Sequence, residues 1–414
     1  MRILWLKTEL LHPVDKGGRI RTYNMLKELC RDHHVTYLTL DDGNAATDAV
    51  EMASEYCHEL VRVPFATASK RSFQFFAELA ANAVSSLPYA VSKYKSPEME
   101  RAIVDAVRKG YDIIVCDFLF PSLNVPQGLG IPTVLFQHNV EAVIWERHMQ
   151  MARSFVKRQF MRDQWQRMQR HERAECRRFD HVIAVSADDA AAFTRDYGVT
   201  SVSSVATGVD TTFFRPTNVV PRKKNNLVFT GSMDWLPNED AIAWFVESIL
   251  PLVQRDIPDV SLTIVGRTPS PKIAALHNGT SVEVTGSVPD VRPYIERAEL
   301  FVVPIRIGGG TRLKIYEAMA MERAVVSTPV GAEGLPVEDG VHALLRVDPE
   351  SMAAAITMLL NNQPQRESIA RAGAQLVRER FGWDGVARQF SATCQSVVDQ
   401  RFGAKDAQKV AVGQ

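Results

Sequence analysis

Residues 301–335 read FVVPIRIGGGTRLKIYEAMAMERAVVSTPVGAEGL. Phe301 to Ile305 is a short apolar run, as expected of a parallel strand buried on both faces. Gly308, Gly309 and Gly310 follow, and then Thr311, a residue type that suits a helix N-cap. Arg312 to Met321 predicts a helix with Leu313, Ile315, Tyr316, Ala318 and Met319 as its apolar part. Ala324 to Thr328 returns as a strand, and Gly331 to Gly334 makes a second glycine loop. One βαβ unit bracketed by glycine loops predicts an α/β chain built on parallel sheets.

The same stretch carries a chemistry. Consecutive glycines let the backbone approach a ligand, and successive free N–H groups form an anion-binding concavity. A helix N-terminus behind them adds a fractional positive charge. Arg312 and Lys314 stand in the first turn, where the helix dipole disfavours cations. A bound anion would compensate them, and a diphosphate fits. Glu317, further along, can accept two hydrogen bonds from a vicinal diol such as a ribose. The alternative is a plain tight turn with solvated cations; the second glycine loop and the acidic residue on the same unit favour the site.

Around this centre, 414 residues allow two or three domains. The formal net charge is zero, which gives no bulk electrostatic case for a nucleic-acid partner. The 5 cysteines are scattered without a C-x-x-C pair, as expected of unpaired thiols in a reducing cytosol. No run is apolar enough to span a bilayer, and Met1 to Leu6 reads as a buried strand, not as a signal peptide. The expectation is a cytoplasmic chain.

Further strands are predicted at His34–Leu40, Asp112–Asp117, Pro132–Phe136, Asp180–Ser186, Leu227–Gly231, Val260–Gly266 and Val282–Gly286. The opening strand, glycine pair, helix and strand are Rossmann-type, although G-x-G-x-x-G is missing. His138 follows the end of a predicted strand, where α/β sheets bind ligands. Its neutral ring could donate to a ligand hydroxyl, and its charged form could stabilise an anion; a capping or core role is the alternative. Ser72–Val91 is rich in Phe73, Phe75 and Phe76 and flanked by Lys70, Arg71, Lys93 and Lys95. It reads as a helix packed on the sheet, with an anionic membrane surface as the minority reading. Met151–Arg178 holds 9 basic residues against 3 acidic ones. A solvated helix face is the usual explanation of such a run, and a phospholipid or diphosphate-lipid docking surface is the sharper one.

Taken together, the Glu317-Ala-Met-Ala segment, the Gly331–Leu335 loop and the Gly208-Val209-Asp210 to Pro216 passage resemble the signatures of retaining glycosyltransferases of family 4. The first glutamate of that family's usual pair falls at Gly309. The chain resembles instead the branch with GGGTRLKxxEAMA, common among bacterial polysaccharide and cell-envelope transferases. The resemblance implies a GT-B fold: two Rossmann-like parallel-sheet domains facing each other across a cleft. It implies an N-terminal acceptor domain over 1–208 with a crossover helix at 384–402, a donor domain over 209–383, and a tail at 403–414. It implies transfer of a hexose from a nucleotide-diphosphate sugar to a hydroxyl on a glycan or lipid-linked acceptor, with retention and without a metal or cofactor. His138, Arg312 and Lys314 would take catalytic roles. Gly17, Gly18, Gly231, Ser232, Val288, Gly309, Gly310, Thr311 and Glu317 would contact the donor. A peripheral membrane contact stays open. A nucleotide-sugar 2-epimerase of the same architecture and a non-catalytic nucleotide-sugar-binding protein are the alternatives.

Overall fold

A computed structural model describes residues 1–14, 17–66, 72–150, 152, 154–307 and 313–412. The chain divides into two compact units, Met1–Ala206 with Val386–Gln414, and Thr207–Gly385. The first holds strands β1 (Arg2–Lys7), β2 (His34–Asp41), β3 (Glu59–Pro64), β4 (Ile113–Asp117), β5 (Thr133–Gln137), β6 (His181–Ala184) and β7 (Val202–Ser204). They form one parallel sheet in the order β3-β2-β1-β4-β5-β6-β7. The second holds β8 (Asn226–Thr230), β9 (Ser261–Val265), β10 (Val282–Gly286), β11 (Leu300–Val303), β12 (Ala324–Ser327) and β13 (Leu344–Leu345). Its parallel sheet runs β10-β9-β8-β11-β12-β13.

Strands that run parallel need crossover connections, and helices on both faces bury the central strands. Every residue of β8, β9, β11 and β12 is buried. In the first unit Leu4, Leu38, Ile114, Leu135 and Val182 pack in one core with Met99, Ile103 and Phe193 from the covering helices. Each such fully buried aliphatic side chain contributes about 1.5–3 kcal/mol relative to exposure. In both units the strand order reverses beside the first strand: β1 lies between β2 and β4, and β8 between β9 and β11. The C-terminal ends of those central strands are where this architecture places a ligand crevice.

The edge strands β3 and β7 were not expected. β3 is only partly buried and mixes Glu59 and Arg62 into its apolar residues, and β7 is three half-buried residues. An edge strand lacks the continuous apolar run that marks a central one. The last helix, Trp383–Val412, continues through the stretch read as a tail. Within the first unit its Phe390 ring lies 5.6 Å from Trp5 and 5.0 Å from Phe136.

The basic stretch takes a third role beside the two weighed for it. It forms the helix Phe155–Arg178, separate from a preceding helix Glu141–Gln150. Arg167 donates to the carbonyls of Asn82 (2.6 Å) and Ala83 (3.1 Å), at the end of the helix Phe73–Asn82. Arg173 and Arg177 donate to the carbonyls of Asp196 (3.1 Å) and Tyr197 (2.5 Å), which end the helix Ala187–Tyr197. Arg178 holds the carbonyls of Ser122 and Val125 at 2.8 and 2.9 Å. Helix C-termini leave unpaired carbonyls and partial negative charge, and these arginines supply both donors and countercharge. The rings of the Phe-rich helix do not pack on the sheet as expected: Phe75 meets Tyr89 of the short helix Tyr89–Ser92 at 5.7 Å, whereas Phe73 and Phe76 are exposed.

Candidate functional site

In the second unit, Gly231 follows the end of β8 and donates its N–H to the Val265 carbonyl at 2.9 Å. Gly266, the next residue after β9, packs so tightly that a Cβ there would run into the Gly231 carbonyl oxygen. Over Gly231 lie two side chains from separate helices. A Cβ at Gly231 would stand 2.7 Å from Asn238 Nδ2 and 2.7 Å from Lys314 Nζ, so only glycine leaves room for both. Asn238 comes from the helix Leu236–Trp244 and Lys314 from the helix Leu313–Ala320. Lys314 Nζ donates to Asn238 Oδ1 at 3.0 Å and rests 4.0 Å from the Phe229 ring centre. Asn238 in turn donates to the Ser232 carbonyl at 2.8 Å. Three of the residues singled out from sequence, Gly231, Ser232 and Lys314, are therefore one connected group.

Glu317 lies one turn beyond Lys314, half-buried, and its carboxyl has no hydrogen-bond partner among the described residues. Burial pushes its pKa up to about 7, and the Lys314 charge opposes that rise. A half-buried carboxylate without a donor is costly on its own account and suits a ligand that brings hydroxyl donors.

Sequence reasoning missed Arg267. The Gly231–Asn238 loop has no cation of its own, but Arg267, one residue past Gly266, donates to Ser232 Oγ at 3.0 Å. Its backbone carbonyl also accepts from Met233 N at 2.9 Å. The available signal was its place: a cation directly after a strand-end glycine. Val288 lies in the loop after β10, an edge strand, two strands out from β8. The second glycine loop is tied to the sheet: Gly331 N donates to Thr328 Oγ1 at 2.8 Å, and a Cβ at Gly331 would meet the Val303 carbonyl at 2.8 Å. Gly309, Gly310, Thr311 and Arg312 lie outside the described residues.

The first unit gathers a second group at its own strand ends. Asp117, the last residue of β4, is fully buried. Its Oδ2 accepts from Lys7 Nζ (2.8 Å), Thr22 Oγ1 (2.6 Å) and Trp5 Nε1 (3.1 Å). His138 Nε2 stands 2.7 Å from Asp117 Oδ1. Burial alone would raise the Asp117 pKa, but Lys7 and His138 outweigh it and hold the carboxyl well below the ordinary carboxylate range. Neither Lys7 nor Asp117 was singled out from sequence, although both end strands at the switch point. His138 is 1% exposed, with Phe118 at 3.9 Å and Phe136 at 4.6 Å between ring centres. Burial lowers its pKa to about 3, against the pull of Asp117, so the ring is neutral at physiological pH. Burial thus favours the neutral of its two expected modes. Gly18 stands over this group, since a Cβ there would meet the Phe118 ring at 3.2 Å and His138 Nδ1 at 4.0 Å. Gly17 begins the same helix, with open space around it. Phe118 itself sits at φ 76°, a strained conformation for an aromatic residue and a mark of functional sites. Among the described residues no cluster of His, Cys, Asp or Glu could hold a metal ion.

Comparison with known proteins follows the same division. Residues 16–213 match Glycosyltransferase Family 4, and residues 224–362 match the glycosyl transferases group 1. Both matches are to glycosyltransferase domains, and with the two parallel sheets they give this chain the GT-B fold. It is 30% identical to phosphatidyl-myo-inositol mannosyltransferase of Mycobacterium leprae over 154 residues, which cover 36% of this chain and 41% of that protein. The matches span less than half the length of the curated relatives. Sucrose-phosphate synthase from Thermosynechococcus elongatus superposes with a TM-score of 0.71 at 19% identity, covering 98% of this chain and 100% of that one. Anabaena HepE, solved in complex with UDP and glucose, superposes with a TM-score of 0.66 at 15% identity, covering 96% of this chain and 100% of that one. No helix among the described residues is long and apolar enough to cross a membrane.

Proposed function

We propose that this chain moves a hexose from a nucleotide-diphosphate sugar to a hydroxyl acceptor, with retained configuration and no metal, in polysaccharide or glycolipid synthesis. The observation that carries the reading is the group at the end of β8. Gly231, Ser232, Asn238 and Lys314 converge there, Glu317 lies one turn beyond Lys314 without a hydrogen-bond partner among the described residues, and Arg267 joins from the end of β9. A leaving diphosphate gains negative charge in the transition state, and a cation already placed against an open backbone stabilises it without reorganisation. Glu317 takes the ribose diol. The matched domains and the UDP and glucose held by HepE support a nucleotide-sugar donor. The acceptor and the membrane contact are parts of the proposal that rest on the resemblance.

The test is a panel of UDP-, GDP- and ADP-sugars with the purified protein, scored by melting temperature and by slow hydrolysis. One donor at saturation should raise Tm by about 2–4 °C and be turned over. Binding without turnover, even with glycan and lipid acceptors present, would favour the non-catalytic reading. A product isomerised without transfer would reveal the epimerase. If nothing binds, the Gly231 group is structural.

The raised Glu317 pKa gives this reading a pH signature. Below about pH 7 the carboxyl is protonated and accepts from the diol less strongly. Donor affinity should therefore fall about tenfold from pH 8 to pH 6, the difference between a charged and a neutral hydrogen bond. Glu317→Gln should bind weakly at both values, with the inflection gone in isothermal titration. An inflection that survives the substitution would remove Glu317 from the donor site.

A further inference from the structure

A cavity of about 1190 Å³ opens in the first unit, beyond the C-terminal ends of β1, β2 and β4. That exceeds the roughly 300–1,000 Å³ of pockets that take one small molecule. One wall carries aromatic rings in a row. Phe118 lies parallel to Phe120, with centres 6.2 Å apart and planes at 6°. Phe120 neighbours Tyr94 at 5.6 Å, and Tyr94 neighbours Phe65 at 6.3 Å. All of these rings line the cavity and all are half-buried, so each keeps surface for a ligand. The strained backbone of Phe118 holds the inner end of the row.

We propose that this row is a stacking platform for a neutral oligosaccharide, the acceptor of the transfer reaction; the inference rests on the glycosyltransferase reading. Sugar rings present faces of weakly positive C–H groups, which match the negative faces of aromatic rings. Their hydroxyls need donors and acceptors, and the cavity supplies both. Several of its charged side chains are paired within the protein, and among the described residues Asp42 accepts only from the Asn44 N–H. Lys7 is paired with Asp117 at 2.8 Å, Arg19 with Glu9 at 2.6 Å, and Asp41 with Arg62 at 3.0 Å. Glu78 accepts from Tyr89 Oη at 3.1 Å. Lys93 and Lys95 are exposed, and Lys93 Nζ stands 4.7 Å from the Tyr94 ring centre. A lipid diphosphate needs several cations converging on it. The inner cations Lys7 and Arg19 already hold carboxylates, and the aromatic row offers the surface that an uncharged glycan uses.

The experiment uses the full-length protein and neutral tetrasaccharides of glucose, mannose, galactose and rhamnose, with farnesyl diphosphate as the competing class. Binding is read by saturation-transfer NMR and titration calorimetry. At least one tetrasaccharide should bind saturably. Tyr94→Ala and Phe120→Ala should each weaken it about tenfold, the loss of one stacked ring. Phe65→Ala, at the outer end of the row, should weaken the tetrasaccharide while sparing the matching disaccharide, which a general packing defect would not do. The proposal is overturned if no tetrasaccharide binds, or if binding ignores these substitutions. It is also overturned if farnesyl diphosphate binds saturably and is lost in Lys93→Ala or Lys95→Ala. Donor-induced Tm shifts in the same variants separate the two readings. Donor binding without saccharide binding sinks the platform alone, whereas absence of any donor sinks the transferase reading.

Discussion

Lys314→Ala is expected to slow turnover of the bound nucleotide sugar about 10²–10³-fold, the usual result of removing one preorganised group that meets developing charge. The expectation follows from placement. Lys314 Nζ is held by Asn238 Oδ1 at 3.0 Å and by the Phe229 face at 4.0 Å, directly over Gly231. The ammonium is fixed before a donor arrives, so little order is lost on binding. Stability should change far less, by about 1 kcal/mol, because one hydrogen bond to Asn238 is lost. Lys314→Arg is expected to recover little. Gly231 is already as small as a residue can be, and a planar guanidinium is too wide for the space above it. Single-turnover rates with the stabilising donor, set beside chemical denaturation, measure both effects. A Lys314→Ala enzyme within threefold of the wild type would show that the charge lies outside the reaction's reach.

Asp117→Asn is expected to destabilise the first unit by about 3–5 kcal/mol, the cost of leaving one member of a buried ion pair uncompensated. Asparagine keeps an oxygen for Thr22 and Trp5 but removes the countercharge of Lys7, whose side chain is 3% exposed. Adding Lys7→Met should restore most of the loss, since the desolvated cation is then gone too. The pH dependence carries a sign. Asp117 has a folded pKa below its unfolded value, so its contribution is fully present above the unfolded value of about 3.9 and is lost only as pH falls through the folded one. The deficit of the asparagine variant should therefore be the same at pH 7 and pH 5 in urea titrations. A deficit that disappears at pH 5, or a double variant no better than the single, would show that the pair is not what holds these strand ends.

Part of the second unit's centre was legible from residues 301–335 because β11, the helix carrying Lys314 and Glu317, and β12 lie on one continuous βαβ segment. Apolar runs marked β11 and β12, Gly331 marked the loop after β12, and Lys314 and Glu317 sit on one helix at fixed spacing. The parallel sheets followed from the same logic, since fully buried strands must be apolar throughout. His138 and Gly18 were legible as strand-end and helix-start residues, and the fold brings them together.

Partnerships between distant segments were decided only in three dimensions. Asn238 and Arg267 reach Ser232 from different elements. Lys7 and Asp117 are 110 residues apart and meet only because β1 and β4 are neighbours at the switch point. The arginines of Phe155–Arg178 looked like surface charge because a sequence shows charge but not which helix end it will face. The aromatic row joins Phe65, Tyr94, Phe118 and Phe120 from segments with no shared periodicity. Local pattern determined the central strands and the strand-end glycines Gly231 and Gly331, because those depend on neighbours in the chain. Charge pairing, burial and the large cavity depend on neighbours in space, and only the tertiary structure decided them.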